Sequence, residues 1–324
     1  MTSELNIIKE LNQDGLQAVV ERYKLNIHRH EKYPNLVLFK YDQIESPYRH
    51  PTIIECRGII LDENNHWSVV SRPYDRFFNY DEAGAAQIDW PSARVCEKTD
   101  GSLTTLYYYD SAWHVASSGK ADASGLVEKV LPFKELFWNT FHDLGYRLPE
   151  QYTDYCFMFE LCTVPNRIIV AHEKPRLVLH GVRNIKTQLE DVPDSYAEQY
   201  GWELVKYYNL NNMQEITKSL ENTSPSKVEG YVVVDKFFNR IKIKSPQYVA
   251  LSHLNDGISD HRLIEIMRNC EDSEFLSYFP KYRERFDILK AKYNNLLHRI
   301  EESYASAPQC VTQKEFAAYA NKFP

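Results

Sequence analysis

Lys98 stands two residues before an Asp-Gly pair, in the run Glu97-Lys98-Thr99-Asp100-Gly101. An amine presented at such a turn can attack phosphorus, provided it is neutral. An ordinary lysine, with a pKa of about 10.4, is neutral in roughly one molecule in a thousand near pH 7. A reactive site must therefore depress that pKa, by burial or by neighbouring cations. Attack at a phosphate also needs positive charge where the phosphoryl oxygens gain charge, and carboxylates to hold a divalent metal. Taken alone, the motif fits an exposed hairpin equally well, because Asp-Gly is an ordinary hairpin turn and strand-like runs flank it at 93–96 and 103–109.

Partners elsewhere in the chain decide between these readings. Arg240-Ile241-Lys242-Ile243-Lys244 alternates basic and apolar residues, so a strand points Lys242 and Lys244 to one face. Glu229-Gly230 opens the apolar run Tyr231-Val232-Val233-Val234, and Glu160 follows Phe157-Met158-Phe159; an acid in such text needs a partner. Arg57 interrupts the apolar segment from Ile53 to Ile60, and arginine is a natural bidentate ligand for phosphate or a sugar edge. Each has a plain alternative, an ion-paired strand glutamate or a solvated Lys-x-Lys face. Five segments imitating the parts of one site, in order, is the less economical account.

The elements that must position these groups are legible as patterns. Apolar spacing predicts a helix over 4–23, interrupted at Gly15, and a sheet-rich block with strands at 35–42, 52–61, 67–72, 93–98 and 102–109. A helix over 126–144 follows, then strands at 155–162, 167–171 and 176–183. Helices near 194–207 and 212–220 and a strand pair at 228–235 and 239–244 close the sheet region. Beyond Pro246 the text turns helical, most evenly over 259–304. The layout predicts an α+β fold built on antiparallel sheets, with domains at 1–245 and 246–324 and the second helical.

The 324 residues, 43% hydrophobic and 13% aromatic with 23 tyrosines, suffice for a packed core. A net charge of −7 excludes a broadly basic nucleic-acid-binding surface, so any polyanion must be held locally. No run approaches the roughly 20 apolar residues of a membrane span, and the first residues lack a basic-then-apolar leader pattern. The expectation is a soluble, cytoplasmic protein, or one of a host's cytoplasm if the source is viral. Cysteines 56, 96, 156, 162, 270 and 310 contain no Cys-x-x-Cys pair, which leaves them as reduced thiols. His28-x-His30 could bind a transition metal, but reads more simply as two incidental surface histidines.

As a set, Glu55-Cys56-Arg57-Gly58-Ile59, Ser71-Arg72-Pro73 through Phe77-Phe78-Asn79, Lys98-Thr99-Asp100-Gly101-Ser102-Leu103, Phe159-Glu160 with Pro165-Asn166-Arg167-Ile168, Glu229-Gly230-Tyr231-Val232 and Lys242-Ile243-Lys244-Ser245 resemble, over residues 50–250, the RNA ligase 1 family typified by bacteriophage T4. That family lies within the covalent nucleotidyltransferases. The resemblance implies an ATP-dependent RNA ligase that uses Mg2+ or Mn2+ and joins RNA 5′-phosphate and 3′-hydroxyl ends, with a broken tRNA as one candidate substrate and a monomer as the working form. It implies that Lys98 takes AMP from ATP. Arg57, Arg76, Phe78, Asp100, Gly101, Lys120 and Val232 would belong to the nucleotide pocket, with Glu97 against the adenine. Glu160 and Glu229 would contact the ribose or hold the metal's water shell, and Lys242 and Lys244 would bind the α-phosphate.

Two positions depart from the family pattern. Arg76 stands where lysine is frequent, and a Lys-Gly-Ser loop is replaced by Ser117-Ser118-Gly119-Lys120, which leaves open what meets the outer phosphates. Two alternatives within the superfamily are a capping guanylyltransferase and a DNA ligase, which normally carry a small β-barrel where this chain reads helical. A third is an RNA-binding protein that has lost catalysis.

Overall fold

A computed structural model describes residues 4–42, 45–47, 49–127, 131–224, 227–255, 260–268, 276, 282–306 and 319. The chain divides into two compact units, Met1–Ser252 and His253–Pro324. The expected helical stretches at 128–130, 256–259, 269–275 and 277–281, and Cys270 and Cys310, lie outside the described residues. The fold is α+β, and three sheets of the first unit are antiparallel apart from two short parallel pairings.

The N-terminal sheet runs in sequence order through Leu25–Arg29, Leu36–Tyr41, Arg57–Asp62 and Ser68–Ser71. Two helices, Asn6–Asp14 and Leu16–Tyr23, cover one face, packing Ile7, Leu11 and Val19 onto Val37, Phe39, Ile59 and Leu61. The strand expected from residue 52 starts only at Arg57. Pro51, with its fixed φ and missing N–H, instead opens the helical turn Pro51–Glu55. That turn places Glu55 so that its carboxylate accepts from the Asn6 and Ile7 N–H groups at 3.1 and 2.9 Å, satisfying the first turn of the opening helix.

The six-stranded sheet has the order Glu190–Asp191, Arg176–Asn184, Tyr155–Cys162, Ser102–Tyr109, Ala112–Ser117, with Glu203–Leu204 alongside Arg176–Asn184. Phe157, Phe159 and Leu161 alternate onto the face covered by the helix Phe133–Asp143, where Phe137 and Phe141 meet them. Each such ring, fully buried, contributes roughly 1.5–3 kcal/mol. The helix expected at 194–207 stops at Tyr200, because Gly201 turns the chain back into the sheet.

The five-stranded sheet is ordered Tyr207–Tyr208, Arg94–Lys98, Gly230–Val234, Arg240–Lys244, Phe78–Asn79. Helix Met213–Glu221 covers one face through Ile216 and Leu220. The opposite face meets the six-stranded sheet where Cys96 and Val234 pack on Val178. The N-terminal sheet meets the same side of that sheet, with Leu36, Leu38 and Ile60 against Tyr107, Ala116 and Met158. Both smaller sheets therefore share one face of the larger, and a seam forms where the three converge.

The second unit is helical where described, with Asp260–Arg268 and Arg283–Ala305 joined through Leu263, Ile266, Met267, Leu276 and Phe286. No helix among the described residues is long and apolar enough to cross a membrane. Cys56, Cys96, Cys156 and Cys162 are free and buried.

Candidate active site

Lys98 ends a strand of the five-stranded sheet and Ser102 begins a strand of the six-stranded one, so Lys98-Thr99-Asp100-Gly101 crosses between sheets. The hairpin alternative is thereby excluded. A Cβ at Gly101 would lie 2.5 Å from the Leu161 carbonyl and 2.7 Å from Cys162 Sγ, so only glycine makes this crossing. The buried Asp100 carboxylate accepts from the N–H groups of Ile169 and Val170 at 2.9 and 2.6 Å and from the Tyr248 hydroxyl at 2.8 Å. Residues 167–171, expected as a strand, are thus a loop whose amide groups turn to a side chain instead of a sheet partner. Burial and the nearby Glu229 and Asp100 push the Tyr248 hydroxyl far above its ordinary range.

Strand register arranges the charges. Gly230 pairs with Lys98 on one side and Lys244 on the other, and Val232 pairs likewise with Cys96 and Lys242. Directly opposed residues share a face, so Lys98, Lys242 and Lys244 face the seam together. Lys98 Nζ lies 2.6 Å from Glu229 Oε2, and Glu229 is buried. Burial first, and then repulsion from Lys244, Lys98 and Arg57, opposed by Glu82, lower the Lys242 pKa to about 8. Asn79, which pairs with Lys242, donates to that Glu82 carboxylate.

The six-stranded sheet supplies the facing wall. Glu160 pairs with Val178 and Leu103, on the face opposite the phenylalanine core, and its carboxylate lies 3.4 Å from His180 Nε2. Tyr74 stacks on His180 and donates to the His180 carbonyl at 2.8 Å. Arg57 lies 5.0 Å over the Phe77 ring, and one of its buried guanidinium nitrogens has no hydrogen-bond partner among the described residues. Arg76 sits 4.6 Å over Tyr41 and 5.3 Å over Phe78. A buried carboxylate against an attacking-type amine, with cations on two sides, can hold a polyphosphate and move a proton to or from Lys98.

Other residues singled out by sequence lie further from this contact. The Glu97 carboxylate is 3.6 Å from Arg176, which also pairs with Glu203. Phe78 pairs in register with Ile241, leaving Asn79 beside Lys242. Lys120 is exposed, and its charge reaches His28. The two histidines are not surface residues free for a metal: His28 Nδ1 accepts from Ala121 N–H at 3.2 Å, and the buried His30 accepts from Lys32 N–H at 3.1 Å. Burial pushes the His30 pKa down to about 4. Lys40, His180 and Tyr248 reach the seam without having been singled out. A lysine in Leu38-Phe39-Lys40-Tyr41, a histidine inside a strand and a tyrosine opening a helix carry no distinguishing local signal.

Against this geometry, the profile of the RNA ligase family matches residues 55–248, more than half of the chain and every seam residue from Arg57 to Tyr248. The chain belongs to the T4 RNA ligase 1 family. Its RNA ligase relatives are distant. It is 29% identical over 300 residues to a protein of Autographa californica nuclear polyhedrosis virus named as a bifunctional polynucleotide kinase/RNA ligase, covering 85% of this chain and 42% of that protein. It is 25% identical over 335 residues to an RNA ligase of Rhodothermus phage RM378, covering 83% of this chain and 76% of that one. The chain thus spans less than half the length of the first of these relatives. Among solved structures, an archaeal ATP-dependent RNA ligase superposes with a TM-score of 0.52 at 12% identity over 98% of this chain and 89% of that one. A protein of Aquifex aeolicus named as an ATP-dependent DNA ligase gives 0.50 at 13% identity over 90% and 79%. The likeness to these two structures is one of fold; the family whose profile matches is that of RNA ligases.

Proposed function

We propose that this RNA ligase family member seals RNA 5′-phosphate and 3′-hydroxyl ends with ATP, through a covalent Lys98-AMP intermediate. The observation that carries the reading is the Lys98–Glu229 contact of 2.6 Å at the head of a cation row formed with Lys244 and Lys242. The Lys98 Nζ lone pair attacks the α-phosphorus as its proton passes to Glu229. A P–N bond forms, the bond to the bridging oxygen breaks, and pyrophosphate leaves with the electron pair. Lys242 and Lys244 face the α-phosphate oxygens as they gain charge. An oxygen of an RNA 5′-phosphate then displaces Lys98, which leaves as an amine and takes back a proton. Finally the oxygen of an RNA 3′-hydroxyl attacks that 5′-phosphorus, its proton passes to solvent, and the bond to AMP breaks so that AMP departs with the electron pair.

Among the described residues no group of three His, Cys, Asp or Glu side chains forms a metal cage. Glu160 and Glu229 are hard oxygen donors suited to Mg2+ or Mn2+ completed by substrate phosphates, and such an ion would supply charge neutralisation to the triphosphate. Arg57 and Arg76 extend the cation surface, Asp100 and Gly101 hold the crossing, and Val232, Phe78 and Glu97 are further candidates for the nucleotide's surroundings. Residues 246–324 are the place for RNA choice, with a broken tRNA loop as candidate substrate, and the protein works as a monomer in the cytoplasm of its source or host.

Incubation with ATP or GTP radiolabelled at the α-phosphate tests the first step. ATP should label the protein, Lys98→Ala should abolish the label, and labelling by GTP alone would sink the proposal. Sealing of nicked stem-loops, nicked duplexes and free single strands then ranks the RNA, and sedimentation reads the oligomeric state.

A further inference from the structure

We propose that Lys40 receives the pyrophosphate end of ATP, a role that rests on the adenylylation of Lys98 proposed above. In-line attack places the leaving group on the side of the α-phosphorus away from the attacking atom. The cation row begins at Lys98 and Lys244 and continues to Lys242, one side-chain repeat or about 7 Å further along its strand. Arg57 of the N-terminal sheet lies within electrostatic reach of Lys242. The cross-strand partner of Arg57 is Lys40.

A β-bulge creates that last pairing. Phe39 pairs with Ile59, Gly58 is skipped, and Arg57 meets Lys40. Gly58 has a φ of +94°, which favours glycine, and a Cβ there would also press on the Ser118 carbonyl at 3.3 Å. The bulge thus brings two cations face to face across adjacent strands, on the side of Leu36 and Leu38 that looks toward the six-stranded sheet. Like charges directly opposed destabilise a sheet unless an anion lies between them. The unpartnered guanidinium nitrogen of Arg57 points to the same conclusion.

The other end of Lys40 meets the loop after Ala112–Ser117. Its Nζ is 3.7 Å from the point where a side chain would begin at Gly119. Lys120 of that loop is exposed, and its charge is felt at His28. Lys40 is therefore the ammonium set between this loop and Arg57, where a departing pyrophosphate gains a full negative charge as its bond to the α-phosphorus breaks.

The test separates the steps of one reaction. Lys40→Ala should slow lysyl-AMP formation from ATP, and its reversal by added pyrophosphate, by roughly tenfold or more. Sealing of RNA that already carries a 5′-adenylate, which involves no pyrophosphate, should hold its rate, and Lys40→Arg should recover most of the loss. Wild-type rates in both pyrophosphate-linked assays would overturn the assignment. So would an equal loss in sealing of pre-adenylated RNA, which would mark a merely structural role. Failure of the unaltered protein to form lysyl-AMP would instead remove the functional reading itself.

Discussion

Lys98 Nζ and Glu229 Oε2 lie 2.6 Å apart, so the proposed nucleophile is bonded directly to a buried carboxylate. Attack on phosphorus requires the ammonium proton to leave, and Glu229 is its nearest acceptor. Glu229→Gln preserves shape but cannot take up the proton, so lysyl-AMP formation should fall by about 10²–10⁴-fold. Single-turnover labelling measures this directly, and an unchanged rate would remove Glu229 from the proton path.

Lys242 gives the site a pH signature. Its pKa is lowered to about 8 from an ordinary 10.5. Between those values the unfolded chain holds a proton that the folded one has released, so stability rises with pH across this window. Below about pH 8 both states are protonated and the full penalty, roughly 3 kcal/mol, is present. A bound polyphosphate favours the ammonium and reverses the shift. Calorimetry of pyrophosphate binding near pH 8.5, in buffers of differing ionisation enthalpy, should show proton uptake that Lys242→Met abolishes.

Gly101→Ala places a methyl against the Leu161 carbonyl and Cys162 Sγ. Either the crossing or the strand Tyr155–Cys162 must shift, at a cost of about 1–3 kcal/mol. Denaturant unfolding should show a lowered midpoint with an unchanged slope. A wild-type midpoint would mean that the crossing has slack.

Tyr248→Phe removes one donor to Asp100 and leaves the Ile169 and Val170 N–H groups in place. The expected loss is about 1–3 kcal/mol of stability. Adenylylation should slow more than unfolding alone explains, because Asp100 fixes the backbone two residues past Lys98. Comparing the two losses in the same preparation checks this.

The sequence made the faces of strands legible and their partners much less so. Alternation alone says that Lys242 and Lys244 point together, and they do. It cannot say that Lys98 joins a different sheet from Ser102, because a crossing and a hairpin share the same Asp-Gly text. Residues 52–56 look like strand by composition, yet Pro51 initiates a helical turn whose carboxylate serves the first helix 48 residues upstream. Ile169 and Val170 carry strand propensity, but Asp100 offers their amides a nearer acceptor. Lys40 is silent in sequence, since its place depends on a bulge in the neighbouring strand.

The seam of three sheets draws on residues from Lys40 to Tyr248, set on strands and loops widely separated along the chain. Contacts so far apart in sequence close late, after local helices and strand pairs have formed. During refolding, recovery of pyrophosphate binding should therefore trail the return of helical signal, which makes the site a clock for the last stage of the chain's own assembly.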